Sequence, residues 1–198
     1  MARLLHIEAS PRGDRSYSTR VARRFVEHYL AMHPGDELEH LPLFEVELPE
    51  FGREAAFAKM AQIDNLIAGG RGIPADGPWA GVHREVDRLK AVDKVLISSP
   101  MWNYSIPYRL KHYIDIVCQP GVSFYVNREG RYVGMVKGKP LQLILASGSE
   151  YQMRWPGADD GTKTDFQRAY LEHFARFIGF SDIRCLKIQP TADASPPE

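Results

Sequence analysis

The chain reads as an α/β protein built on a doubly wound parallel sheet. Two observations predict this. Short strand-like runs recur at 4–8 (LLHIE), 94–98 (KVLIS) and 140–146 (PLQLILA); the apolar run at 94–98, with β-branched Val95 and Ile97, reads as a strand buried on both faces. Between them lie amphipathic stretches of helical period, and strands that alternate with helices imply crossover connections and a parallel sheet. Right-handed crossovers then bring every strand-to-helix loop to one edge of that sheet.

After the first strand, residues 10–19 (SPRGDRSYST) form a polar loop. The helix that follows shows Val21, Phe25 and Tyr29 at a spacing of four, beside Ala22, Val26 and Leu30, and Pro34-Gly35-Asp36 ends it. A weakly alternating strand at 37–41 is expected at or near a sheet edge. Beyond a loop at 42–52, a helix at 53–68 is expected to turn Phe57, Met60, Ala61, Asp64 and Ile67 to one side. A turn-rich connector, 69–78 (GGRGIPADGP), leads to a helix at 79–91 carrying Trp79, Val82, Val86 and Leu89.

The central strand, 94–98, is expected to stop at Pro100, which cannot donate to a ladder. A turn at 101–106 follows, and Pro107 suits the first position of a helix. Leu110, Ile114 and Val117 share that helix's apolar face, with Arg109, Lys111 and Asp115 facing away. Residues 122–126 and 132–135 flank Asn-Arg-Glu-Gly, a hairpin turn with Gly130 at the positive-φ position. After the strand at 140–146, the loop 147–162 is long enough to suggest a working loop. A helix at 164–178 is expected to point Phe166, Tyr170, Phe174, Phe177 and Ile178 inward and to close at Gly179; a last strand runs 182–188. One domain over 1–190 is expected, with 191–198 (TADASPPE) a flexible tail too polar and proline-rich to pack.

Composition narrows the function classes. The chain has 198 residues, is 44% hydrophobic and 25% charged, and balances 25 basic against 25 acidic side chains. That balance makes no electrostatic case for nucleic acid or an anionic membrane. No run reaches membrane-spanning length, and the first residues lack a secretory pattern. Cys118 and Cys185 have no metal or redox spacing and are expected as free thiols of a reducing cytoplasm. The histidines form no i, i+4 pair or cluster in sequence, so no metal is expected, and His112 reads as a solvated helix residue. The absence of Gly-x-Ser-x-Gly argues against hydrolase chemistry.

Three loops, 10–18, 100–106 and 147–155, meet at one rim in this topology. The first carries neither GxGxxG nor GxxxxGK[ST]. It offers Ser10, Ser16, Ser18 and Thr19 at the entry to a helix, with Arg12 and Arg15 nearby. Hydroxyls at the positive end of a helix suit a phosphate monoester; capping by Ser16 or Ser18, stabilising by about 1 kcal/mol, is the alternative. The second loop, Met-Trp-Asn-Tyr-Ser at 101–105, sets two large aromatics and an amide at the end of a buried strand, where flat ligands bind. Together they point to a ligand with a phosphate and a flat ring.

With SPRGDRSYS before one helix and PMWNYSIPYRLKHYIDIV entering another, the chain resembles the FMN-dependent NADH–azoreductases, flavodoxin-like quinone reductases. The resemblance runs from about residue 2 to 188. It implies a flavodoxin-like fold with an added hairpin and a shortened C-terminus, bound FMN, NADH or NADPH as co-substrate, and a homodimer acting on quinones or azo compounds. It implies that Ser10, Ser16, Tyr17 and Ser18 hold the FMN phosphate and that Met101, Trp102, Asn103 and Tyr104 line the isoalloxazine. The family's third motif, Ser-Arg-Gly-Gly, falls on Ala146-Ser147-Gly148-Ser149, where only Gly148 is retained and Ser147 and Ser149 are expected to replace donors. Family members usually follow the last strand with a long helix, so one sheet face is expected to lack a cover. Phe124, Tyr125, Tyr151 and Trp155 lie in segments able to frame the flavin's open face. An electron carrier of the flavodoxin type competes with this reading, but such carriers are usually strongly acidic and this chain has zero net charge. A non-enzymatic FMN-binding regulator is the third alternative.

Overall fold

The computed structural model describes residues 1–67, 77–151 and 164–192. In chain order the elements are β1 (Arg3–Glu8), α1 (Tyr17–Met32), β2 (Glu37–Pro42), α2 (Arg53–Ile67), α3 (Ala80–Ala91), β3 (Lys94–Pro100), α4 (Tyr108–Val117), β4 (Phe124–Val126), β5 (Tyr132–Gly134), β6 (Leu141–Ala146), α5 (Phe166–Ile178) and β7 (Ile183–Ile188). The five long strands form one parallel sheet in the order β2-β1-β3-β6-β7, and β4 and β5 form a separate antiparallel hairpin. The strand order reverses between β1 and β3, so loops diverge there and open a crevice at the carboxyl edge. The expected five-stranded sheet, hairpin and edge position of β2 all stand.

Strand side chains alternate between faces, which splits the core into two unequal layers. Leu5, Ile7, Val95, Ile97, Leu143 and Leu145 belong to the larger layer, with Val82 and Val86 of α3, Leu110 and Ile114 of α4, and Leu171 and Ile178 of α5. Leu4, Leu96 and Ile144 form the smaller one with Ala22 and Val26 of α1, and the half-buried Phe25, Tyr29, Leu30 and Ile188 pack against it. That α1 face carries a gap of about 300 Å³ with Leu4, Phe25, Val95 and Leu141 in its lining. On β7, Leu186 is 47% exposed.

At the amino edge of the sheet, Tyr29 and Lys94 hydrogen-bond Asp36, which also accepts from the Ala2 backbone N–H (2.7 Å). Lys139 is 8% exposed, and its ammonium donates to the carbonyls of Leu89, Lys90 and Val92 (2.6–3.0 Å), capping the carboxyl end of α3.

Several expectations are corrected. β3 continues to Pro100, which pairs with Ala146 at the end of its ladder, where a missing N–H costs no interior bond. Pro107 caps α4 from outside and the helix starts at Tyr108. Along α2 the face chosen from sequence is the solvent face: Phe57 and Met60 are 64% and 57% exposed, while Ala55 and Gln62 are buried. In α5, Phe166 is 42% exposed and Leu171 points inward instead. The first two residues of the polar tail do pack: Thr191 N–H donates to the Ser147 carbonyl (3.1 Å) and Ala192 N–H to that of Gly148 (3.0 Å). Most of the 69–78 connector, residues 152–163 of the long loop and the tail beyond Ala192 lie outside the described residues.

Candidate functional site

At the carboxyl edge, a cavity of about 560 Å³ opens between the first, second and third βα loops, within the roughly 300–1,000 Å³ of small-molecule sites. Ser16, Tyr17, Met101, Ser147 and Gly148 all line it, so residues from all three expected motifs meet.

The first wall is the loop after β1. A 3-10 turn, Gly13–Arg15, is entered through Gly13 at φ 51°, a conformation glycine adopts without steric cost. It delivers Ser16 as the N-cap of α1, its hydroxyl accepting from Thr19 N–H (3.4 Å). The Ser16 and Ser18 hydroxyls lie 3.1 Å apart, both buried. Ser10 is buried too, and its hydroxyl accepts from Arg12 N–H (3.3 Å). Ser16 thus both caps the helix and lines the cavity. Arg12, Arg15 and Arg20 stand on the same wall, adding positive charge to the amino end of α1.

The second wall is the turn after β3. Met101 N–H donates to the Ala146 carbonyl (2.7 Å), which ties this loop to the third. Trp102 and Ser105 exchange two backbone hydrogen bonds (3.0 and 2.9 Å), leaving Asn103 and Tyr104 as the corners. Tyr104 is held from outside as well: its carbonyl accepts from Phe166 N–H (3.2 Å), and its ring meets that of Tyr151 edge-on at 5.9 Å. Gln167, in the first turn of α5, donates to the Ser99 carbonyl (3.2 Å). Of the four ring-lining residues the resemblance implies, Met101 reaches the cavity lining, while Trp102, Asn103 and Tyr104 form the turn beside it.

The Trp102 ring packs against Phe44 (5.8 Å) and Tyr108 (6.3 Å). Phe44 sits on the loop after β2. That loop is pinned by Arg109, whose guanidinium donates to the carbonyls of Leu43 and Val46. Sequence periodicity sent Arg109 to solvent and passed over Phe44; a loop-to-helix contact of this kind leaves no periodic signal.

In the third wall the Ser147 hydroxyl lies 3.0 Å from the Ser149 carbonyl and 3.1 Å from Gln189 Oε1, and its N–H goes to Ile188. Its side chain thus ties the loop to β7's end while the residue also lines the cavity. The Gly148 and Ser149 N–H groups carry no hydrogen bond among the described residues. Thr191 and Ala192 complete the lining, a contribution that the polar character of 191–198 concealed.

His112 is not simply solvated; its Nε2 lies 2.9 Å from the Pro49 carbonyl. Phe124 and Tyr125 line a second cavity of about 510 Å³ with Ile63 and Leu66 of α2, away from the first. Tyr151 touches the 101–105 turn, and Trp155 lies outside the described residues. The histidines do cluster in space, since β1 and β2 bring His6 and His40 together with Glu8.

The family described as flavodoxin-like fold matches residues 2–198. An FMN-dependent NADH:quinone oxidoreductase of Nitratidesulfovibrio vulgaris (strain DP4) is 42% identical over 200 residues, covering 99% of this chain and 90% of the relative. FMN-dependent NADH:quinone oxidoreductase 1 of Bradyrhizobium diazoefficiens is 37% identical over 197 residues, covering 100% and 91%. Among solved structures, a FMN-dependent NADH-azoreductase from Bacillus anthracis in complex with FMN superposes with a TM-score of 0.76 at 24% identity, covering 98% of this chain and 90% of that one. That last likeness bears on the fold alone. On its sequence from residue 2 to 198, this chain belongs to the flavodoxin-like fold family.

Proposed function

We propose that the protein is an FMN-dependent oxidoreductase that takes hydride from NADH or NADPH and passes it to quinones, azo compounds or related flat acceptors. The observation that carries this is that Ser16 and Tyr17, at the amino end of α1, line one cavity with Met101 of the aromatic turn. The names borne by the relatives point the same way. The residues fit the cofactor: buried hydroxyls, a helix N-terminus and arginines for a phosphate, then an aromatic turn and two unengaged amides for a polar-edged ring.

When bound, FMN supplies the hydride chemistry itself. The chain's own residues bind and orient. Ser10, Ser16, Tyr17 and Ser18 would hold the phosphate, while Met101, Trp102, Asn103 and Tyr104 would flank the ring. The Gly148 and Ser149 N–H groups would be the donors for its polar edge, where donors stabilise negative charge. At roughly 0.3 kcal/mol per atom, a ligand of about 31 heavy atoms reaches around −9 kcal/mol, sub-micromolar affinity. A cofactor held so tightly stays put while donor and acceptor take turns, a ping-pong scheme.

A homodimer is part of the same reading. Phe57, Met60, Tyr125, Val126 and Tyr132 are exposed along α2 and the β4–β5 hairpin, beside the second cavity. Apolar area of that kind calls for a partner, and a second copy of this chain is the one proposed. A reducing cytoplasm is the proposed compartment. Both cysteines are free, burial raises both thiols, Cys185 to about 11, and no helix among the described residues is long and apolar enough to cross a membrane.

Anaerobic mixing of the purified protein with NADH tests the enzyme. Rapid bleaching of the oxidised flavin band, near roughly 450 nm, followed by reoxidation with a quinone, is the expected result. A yellow protein inert to NADH and NADPH would leave the carrier or the regulator, and a protein that refuses FMN would remove the flavin reading. Sedimentation velocity reads the dimer.

A further inference from the structure

The α1 face of β1 and β2 gathers three metal-ligating side chains, none of which lines the cavity described above. His6 and His40 are register partners on the two parallel strands, and Glu8 follows His6 by two residues and so points to the same side. One donor atom from each of His6, Glu8 and His40 lies within 4.8 Å of the other two. Glu8 Oε2 and His40 Nε2 are 3.0 Å apart, and the imidazoles stack with centroids 5.1 Å apart. We propose that His6, Glu8 and His40 form a binding site for a divalent transition metal, Zn²⁺ by ligand type, with a fourth position open on the His40 side.

Two imidazoles and a carboxylate are a donor set that zinc takes with a water in the remaining position, and one that magnesium and calcium do not favour. Each buried ligand is already oriented by a hydroxyl that leaves a second donor atom for the ion. Ser98 Oγ lies 2.9 Å from His6 Nε2, which leaves the other ring nitrogen, and Thr19 Oγ1 donates to Glu8 Oε1 (2.8 Å), which leaves Oε2. Arg23 is the neighbouring cation, and its guanidinium is paired with Asp14.

Donor atoms around tetrahedral zinc lie about 3.3 Å apart, given bonds of about 2.0–2.2 Å. Glu8 and His40 are already close to that. His6 and Glu8 are buried, whereas the His40 side chain is 44% exposed on an edge strand and free to swing into place. The ion replaces the hydrogen bond between Glu8 and His40, and the proton displaced from that nitrogen goes to the other ring nitrogen or to solvent. Without metal, Glu8 keeps its hydroxyl and imidazole partners, so the fold does not depend on the ion. No sequence spacing announces the site, because its residues converge only through the β1–β2 register.

The test uses the full-length protein, freed of metal with a chelator and titrated with Zn²⁺ by calorimetry and with Co²⁺ by visible absorption. One ion per chain is expected, with the intense Co²⁺ bands of a four-coordinate site. His40→Ala and Glu8→Gln are each expected to weaken binding at least about tenfold. No saturable binding, or binding by His40→Ala as tight as by the wild type, would overturn the proposal. His40→Ala alone decides the matter if Glu8→Gln fails to fold, since His40 is the exposed member.

Discussion

Asn103 and Tyr104 stand next to each other in left-handed backbone, at φ 47° and 68°, between Trp102 and Ser105, which bond each other's backbone. Two positive φ angles in a two-residue turn normally call for Asn-Gly, so Asn103 fits and Tyr104 costs about 1–2 kcal/mol. Such strain collects where a ligand site over-determines the backbone.

The turn and its amide can be separated by substitution. Asn103→Gly keeps the backbone and deletes the amide proposed to meet the ring; FMN is expected to bind about tenfold more weakly, with folding stability within about 1 kcal/mol of wild type. Asn103→Val puts a β-branched residue at positive φ and is expected to lose both stability and flavin. Fluorescence titration with FMN and urea denaturation read the two quantities. Wild-type FMN affinity in Asn103→Gly would remove the amide from the ring.

Ser16 does two jobs, capping α1 and facing the cavity. Ser16→Ala is expected to cost about 1 kcal/mol of folding stability from the lost cap. It is also expected to weaken FMN about tenfold or more, as hydrogen bonds to charged groups contribute about 1.5–3 kcal/mol. Riboflavin, which lacks the phosphate, is the control. Its affinity should hardly move, and a parallel loss for both ligands would put the phosphate elsewhere.

What the sequence revealed and what it hid follow one physical line. Buried strands such as Val95-Leu96-Ile97 and the stripe Leu110, Ile114 and Val117 are legible because burial dictates residue type at a fixed period. The serine loop and the aromatic turn are legible because each is contiguous. α2 misled because apolar residues sit on several of its sides, so tertiary position rather than period decides that Ala55 goes in and Phe57 stays out. Phe44, Arg109, Thr191 and the His6–His40 pair were hidden because each acts across a loop or a strand register that no local pattern encodes.

Acid should act at the opposite end of the sheet from the cavity. The Tyr29 hydrogen bond, then the Ala2 N–H and the Lys94 ammonium, hold the Asp36 carboxyl well below the usual carboxylate range. A carboxyl depressed on folding stabilises above its unfolded value, about pH 4, and that contribution fades as pH falls from there toward the folded value. Asp36→Asn is therefore expected to be less stable than wild type at about pH 7, with the gap narrowing at about pH 3. Denaturant midpoints at the two pH values check this, and FMN affinity should be unchanged. A gap that is constant or widens in acid would mean that Asp36 acts by packing alone.

Gly134 lies where the β4–β5 hairpin presses on the end of α5. A Cβ built there would sit 2.2 Å from the Ile178 carbonyl carbon and 2.3 Å from Gly179 N, both backbone atoms that cannot rotate aside. The next contact along, Val136 N–H to the Ile178 carbonyl (2.8 Å), fixes the approach. Gly134→Ala must lift the hairpin off the helix, and overpacking of this kind costs about 1–3 kcal/mol. Val136 is 1% exposed and belongs to the core, so the loss should be at the upper end. Urea denaturation is expected to show a lower midpoint with an unchanged slope. Wild-type stability in Gly134→Ala would mean that the hairpin does not rest on α5.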